Sequence, residues 1–113
     1  MGLTVVTLGG ALAPEGEALL AQAGIKSVAT QSYPAKDEVI ALLAQTQADA
    51  LVVRLVERLD RDIMQASPKL KIIAKHGAGT NDIDVAAASA LNIPVIAAVG
   101  ANAHSVAEHT LSL

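Results

Sequence analysis

Cysteine, tryptophan and phenylalanine are all missing from this 113-residue chain, and tyrosine occurs once, as Tyr33. The lack of cysteine removes disulfides, thiolate catalysis and thiolate metal sites, and it fits a reducing compartment, so the cytoplasm is the expected location. With one aromatic ring in the chain, a ligand held by ring stacking is disfavoured. The net charge of −3 comes without any run of Lys or Arg, which leaves nucleic acid and anionic membrane surfaces no electrostatic footprint to meet. Every apolar run is far shorter than the ~20 residues that span a bilayer. The opening Met1, Gly2, Leu3 and Thr4 carry no basic leader, and the chain reads as soluble.

What is present is aliphatic, with many alanines, and it is enough to build the core of one domain over residues 1–113. Short aliphatic runs at 3–8, 27–30, 50–53, 71–75 and 94–99 are the strand candidates. Between them lie helical patterns, clearest in Ile83, Ala86, Ala87, Ala90 and Leu91, and repeated in Val39, Ile40, Leu42 and Leu43. Pro14 suits a first helical turn, Gly24 a helix exit, and Asp60 and Asp84 the N-cap position. Strands apolar on both faces, alternating with helices, imply an α/β fold: a doubly wound, five-stranded parallel sheet with right-handed crossovers. Of the common strand orders, the flavodoxin-like 2-1-3-4-5 suits five strands best.

The last segment, Ser105, Val106, Ala107 and Glu108, reads as a capping box opening a helix whose apolar face runs on through Leu111 to Leu113. With about two turns and no closing cap, that helix is shorter than domain helices usually are, and the reading is of a chain cut inside it. Val106, Leu111 and Leu113 would then leave apolar surface able to drive self-association.

In an open parallel sheet, ligands bind beyond the carboxyl ends of the strands. The loops there are Gly9-Gly10-Ala11, Arg54-Leu55-Val56, His76-Gly77-Ala78-Gly79-Thr80 and Gly100-Ala101-Asn102. The Gly77-Ala78-Gly79 turn can bring backbone N–H groups up to a small carboxylate, and it serves equally as a tight strand-to-helix turn. Arg54 offers a forked set of donors to a carboxylate or phosphate, or pairs with a nearby acid. Asn102 can donate to an anion, although its spacing favours a turn. Lys75 and His76 add positive charge at the end of the fourth strand, or snorkel to solvent. His104 and His109 stand five residues apart, a poor helical spacing for sharing a metal, so no metal site is expected. The capping box accounts for Glu108, and helix-surface exposure for His109.

The run from Leu70 through Gly77, Ala78, Gly79, Thr80, Asn81, Asp82 and Ile83 to Ala88 resembles the D-2-hydroxyacid dehydrogenase family, which includes phosphoglycerate, D-lactate and formate dehydrogenases. Ile93-Pro94-Val95, the stretch from Gly100 and Asn102 to His109, and Leu51-Val52-Val53-Arg54 upstream are similar to the family as well. The likeness is specific from Leu51 onward and generic before it. It implies that Gly77, Ala78 and Gly79 supply amides to a substrate carboxylate, with Ala78 the chief donor. It further implies that Asn102 contacts substrate, that Arg54 meets its anionic tail, and that Val106 lies at the edge of a nicotinamide pocket. Two departures stand out: Asn81-Asp82 reverses the family's frequent Asp-Asn, and Ala97-Ala98-Val99 replaces its frequent Asn-Thr-Pro.

The family's catalytic Arg, Glu and His and its Gly-rich dinucleotide loop have no counterpart in these residues, and no Gly-x-Gly-x-x-Gly occurs. The expectation is therefore the substrate-binding domain of an NAD(P)-dependent dehydrogenase, truncated in its last helix, binding small 2-oxo or 2-hydroxy acids weakly, holding no cofactor and inactive alone. The alternative is a self-standing flavodoxin-like folding or binding module without enzymatic activity. A phosphate-accepting receiver would need acids where Gly9, Gly10 and Arg54 stand, and a flavin carrier would need a hydroxyl-rich loop and aromatic rings.

Overall fold

Nine elements alternate along the chain in the computed structural model, which describes residues 3–10, 14–54, 56, 58–76 and 82–98. They are β1 (Leu3–Leu8), α1 (Pro14–Gln22), β2 (Ile25–Ala29), α2 (Lys36–Thr46), β3 (Ala50–Val53), α3 (Arg61–Gln65), β4 (Ile72–His76), α4 (Val85–Ala90) and β5 (Val95–Ala98). The strands form one sheet in the order β2-β1-β3-β4-β5, with every neighbouring pair parallel, as the sequence leads one to expect.

Strand periodicity divides the core in two. Val6, Leu8, Leu51, Val53 and Ile73 point to one face, where they pack with Val39 and Leu43 of α2, Ile63 and Met64 of α3, and Ala87 and Ala88 of α4. Their sequence neighbours Val5, Ala50, Val52, Ile72 and Ala74 point to the other face, where Leu20 of α1 joins them. All four residues of β3 are buried, because a central parallel strand has helices to meet on both sides.

Local chemistry sets the boundaries. Asp60 Oδ1 accepts from the Ile63 N–H at 3.1 Å and Asp84 Oδ1 from the Ala87 N–H at 3.0 Å, so both anticipated N-caps are in place. Pro14 opens α1, and Gly24 leaves it at φ 75°, a conformation that costs glycine no Cβ clash. Three strands differ in their limits from the apolar runs, β4 by a shift of one residue to 72–76. β2 begins at Ile25, before the expected 27, because this buried side chain and its register with Leu3 extend the ladder to the turn at Gly24. β5 starts after Pro94, which has no N–H to give the ladder, while its carbonyl still accepts from Ile73 N at 3.0 Å.

At the opposite, amino edge of the sheet, Asp49 ties three strand starts together. Its carboxylate accepts from Thr4 N at 2.8 Å, its N–H donates to the Thr4 carbonyl, and its own carbonyl accepts from Lys71 N. That edge is occupied by structural hydrogen bonds, which leaves the carboxyl edge for ligands.

Candidate functional site

At the carboxyl edge, β1 ends in Gly9 and Gly10, both with positive φ, at 92° and 116°. Thr30, just past β2, holds this turn: its Oγ1 accepts from Gly9 N and its carbonyl from Gly10 N, each at 2.9 Å. Arg54 follows β3 directly, and its N–H donates to the Leu8 carbonyl at 2.8 Å. A Cβ built on Gly10 would lie 3.4 Å from Arg54 Nη1, so the guanidinium rests beside the glycine turn, within van der Waals contact of where a side chain would start. Arg54 Nε is out of solvent. The strand-end arginine thus stands at the site edge, where its sequence position puts it.

Lys75, near the end of β4, does not snorkel to solvent as one of its two sequence readings has it. Its side chain is 12% exposed and its ammonium lies 2.6 Å from Asp82 Oδ2, with Asp82 itself 21% exposed. The same ammonium donates to the Arg54 carbonyl at 3.2 Å. One cation therefore links the end of β3, the end of β4 and Asp82, three residues beyond Gly79 in sequence. Asp82 is held from its backbone as well, since Leu59 N donates to its carbonyl at 2.7 Å and Asp84 N donates to the Leu59 carbonyl at 2.9 Å. Asp82 Oδ1 is buried and has no hydrogen-bond partner among the described residues.

Next to this edge lies a cleft of about 160 Å³, with Leu8, Val39 and Ile63 in its wall and Lys36, Arg58 and Asp60 around it. Lys36 Nζ bridges Asp60 at 2.8 Å and Asp62 at 3.1 Å, joining the start of α2 to that of α3. The hydrogen bonds from Asp60 and Asp62 raise the pKa of Lys36 above its usual 10.5. Burial pushes Asp60 upward, but its bonds with Lys36 and the Ile63 amide outweigh that and hold it below its usual 3.8. Charge at this cleft is paired: Lys36 meets Asp60 and Asp62, and Arg58 lies 3.9 Å from Asp84.

Gly77, Ala78, Gly79, Asn102 and Val106 lie outside the described residues, as do the capping box at Ser105 and the pair His104 and His109. Of the candidate ligand-binding residues, Arg54 is the one located. Sequence reasoning missed the Lys75–Asp82 pair, whose single signal was a Lys at a strand end with an Asp across a short glycine-rich loop. Among the described residues no group of His, Asp and Glu could hold a metal ion, and no helix is long and apolar enough to cross a membrane.

The comparisons with known proteins agree on one family. The chain is 40% identical over 114 residues to the D-3-phosphoglycerate dehydrogenase of Mycobacterium tuberculosis, an alignment covering 100% of this chain and 21% of that protein. It is 39% identical over 84 residues to the hydroxypyruvate reductase of Thermotoga maritima, covering 74% of this chain and 27% of that one. Its fold superposes on the NAD+-bound 3-phosphoglycerate dehydrogenase of Entamoeba histolytica with a TM-score of 0.75 at 29% identity, covering 99% of this chain and 38% of the other. The chain thus spans between about a fifth and two fifths of the length of these relatives. Residues 5–112 match the model described as the D-isomer specific 2-hydroxyacid dehydrogenase catalytic domain, and the chain belongs to that family.

Proposed function

We infer that these 113 residues are the substrate-carboxylate half of an NAD(P)-dependent D-2-hydroxyacid dehydrogenase, and that they bind a small 2-oxo or 2-hydroxy acid without turning it over. The observation that carries this reading is the meeting of Arg54 with the end of β4 at the carboxyl edge, next to where the Gly77–Gly79 loop departs. In this reading the amides of Gly77, Ala78 and Gly79 take the carboxylate, Arg54 takes a second anionic group, and Asn102 donates to a substrate oxygen. Val106 would border the nicotinamide.

A nicotinamide dinucleotide would supply the hydride, but the described residues do not fit one. The glycines of the β1 turn lack the Gly-x-Gly-x-x-Gly spacing, and the Arg54 guanidinium lies beside Gly10. The work of these residues is to bind and orient the acid. The same reading puts the chain in the cytoplasm and lets Val106, Leu111 and Leu113 mediate self-association, which sedimentation at rising concentration reads directly.

The test is a titration with glyoxylate, D-lactate, hydroxypyruvate and D-malate, followed by amide NMR shifts. Shifts concentrated at Gly77–Gly79 and Arg54 support the reading, and their absence with all four acids removes it. NADH oxidation by the chain alone would contradict the inactive half of the claim.

A further inference from the structure

We propose that Lys75 and Asp82 form a positioning pair that sets Arg54 for its anionic partner, so that acid recognition depends on a salt bridge that itself touches no ligand. The proposal rests on the reading of Arg54 given above.

The geometry supports it from three sides. Lys75 spends its two described hydrogen bonds inside the protein, one on Asp82 Oδ2 at 2.6 Å and one on the Arg54 carbonyl at 3.2 Å. With its side chain 12% exposed, the ammonium is held inside the loop cluster. The Arg54 main chain is therefore gripped at both ends of its residue, the N–H on the Leu8 carbonyl and the carbonyl on Lys75. Bonds at both the N–H and the C=O restrict the φ/ψ freedom of Arg54 and so set the direction in which its side chain leaves the backbone, on the way to Gly10.

Asp82 is in turn a fixed anchor. The bridge between Leu59 and Ile83 clamps the backbone on its two sides, with Leu59 N on the Asp82 carbonyl and Asp84 N on the Leu59 carbonyl. Asp82 thereby joins the chain after β3 to the chain before α4, and the ion pair ties it to β4 as well. A neutral Asn at 82 would keep the size and the backbone clamp while giving up the charge that draws Lys75 inward. A lysine not so drawn would extend toward solvent and become available to an anion directly.

That last point separates the proposal from its rival, in which Lys75 is itself an anion ligand. The experiment compares wild type, Asp82→Asn, Lys75→Met, Lys75→Arg and Arg54→Met on the full chain. Without ligand, NMR relaxation of the Arg54 Nε–Hε group should show larger motion in Asp82→Asn and Lys75→Met, no further increase in their double variant, and near-wild-type order in Lys75→Arg. With ligand, the preference for D-malate over D-lactate reports the second anion. It should fall about tenfold in Arg54→Met and by most of that in Asp82→Asn.

A preference that rises in Asp82→Asn makes Lys75 the ligand and overturns the proposal, as does Arg54 motion unchanged in both single variants. If wild type shows no preference for D-malate, the assigned role of Arg54 fails, while the ligand-free relaxation still decides whether the pair orders it. Thermal melts of each variant keep a folding defect from passing as a change in motion.

Discussion

Gly10 holds a backbone angle that most residues avoid, with φ at 116°, and a Cβ there would meet the Arg54 guanidinium at 3.4 Å, an ordinary contact. Gly10→Ala therefore adds backbone strain and puts a methyl group against Arg54. Denaturant melts should show a loss of about 1–2 kcal/mol, and the Arg54 resonances should move. Asp60 joins two roles, N-cap of α3 and partner of Lys36, and Asp60→Asn separates them because Asn caps equally well. The folded-state pKa of Asp60 lies below its usual 3.8, so the contribution of the charge is present above that value and is lost as pH falls through the folded value. The variant should accordingly be less stable than wild type near neutrality, and the two should converge in strong acid; a gap that persists there would mean that the cap, and not the charge, was damaged.

Among the elements, α2 is the helix with an unused N-cap. Ala35 has the extended conformation of a capping residue, with φ −65° and ψ 143°, but no side chain to accept a bond. Ala35→Ser should raise stability by about 0.5–1 kcal/mol in urea melts. This sits beside the two helices whose caps, Asp60 and Asp84, were legible in the sequence because a cap depends on four consecutive residues and little else. The strands were legible for a related reason: buried parallel strands such as Ala50–Val53 are continuous apolar runs. Edge strand β2 was placed two residues late, since its start depends on pairing with Leu3, and an edge strand carries a weaker apolar signal. The Lys75–Asp82 pair was illegible because its partners meet only when the chain after β4 folds back against Leu59, and no local pattern encodes that return.

At the scale of the whole molecule, the sheet assigns its two edges different work. The amino edge is laced by Asp49, with a further bond from Ser67 Oγ to the Ala48 carbonyl at 2.6 Å. The carboxyl edge gathers Arg54, Lys75, Asp82 and the Gly9–Gly10 turn at the ends of the neighbouring strands β1, β3 and β4. Family membership and this asymmetry are the grounds for the proposed role of the chain, recognition of an acid. The measurement that tests this most directly is an amide-shift titration with D-malate on wild type and Arg54→Met in parallel. The account predicts saturable shifts at Arg54 and Gly77–Gly79 in wild type, weakened about tenfold in the variant. Shifts that cluster instead at the cleft of Lys36 and Asp60, or equal affinity in the two proteins, would contradict it.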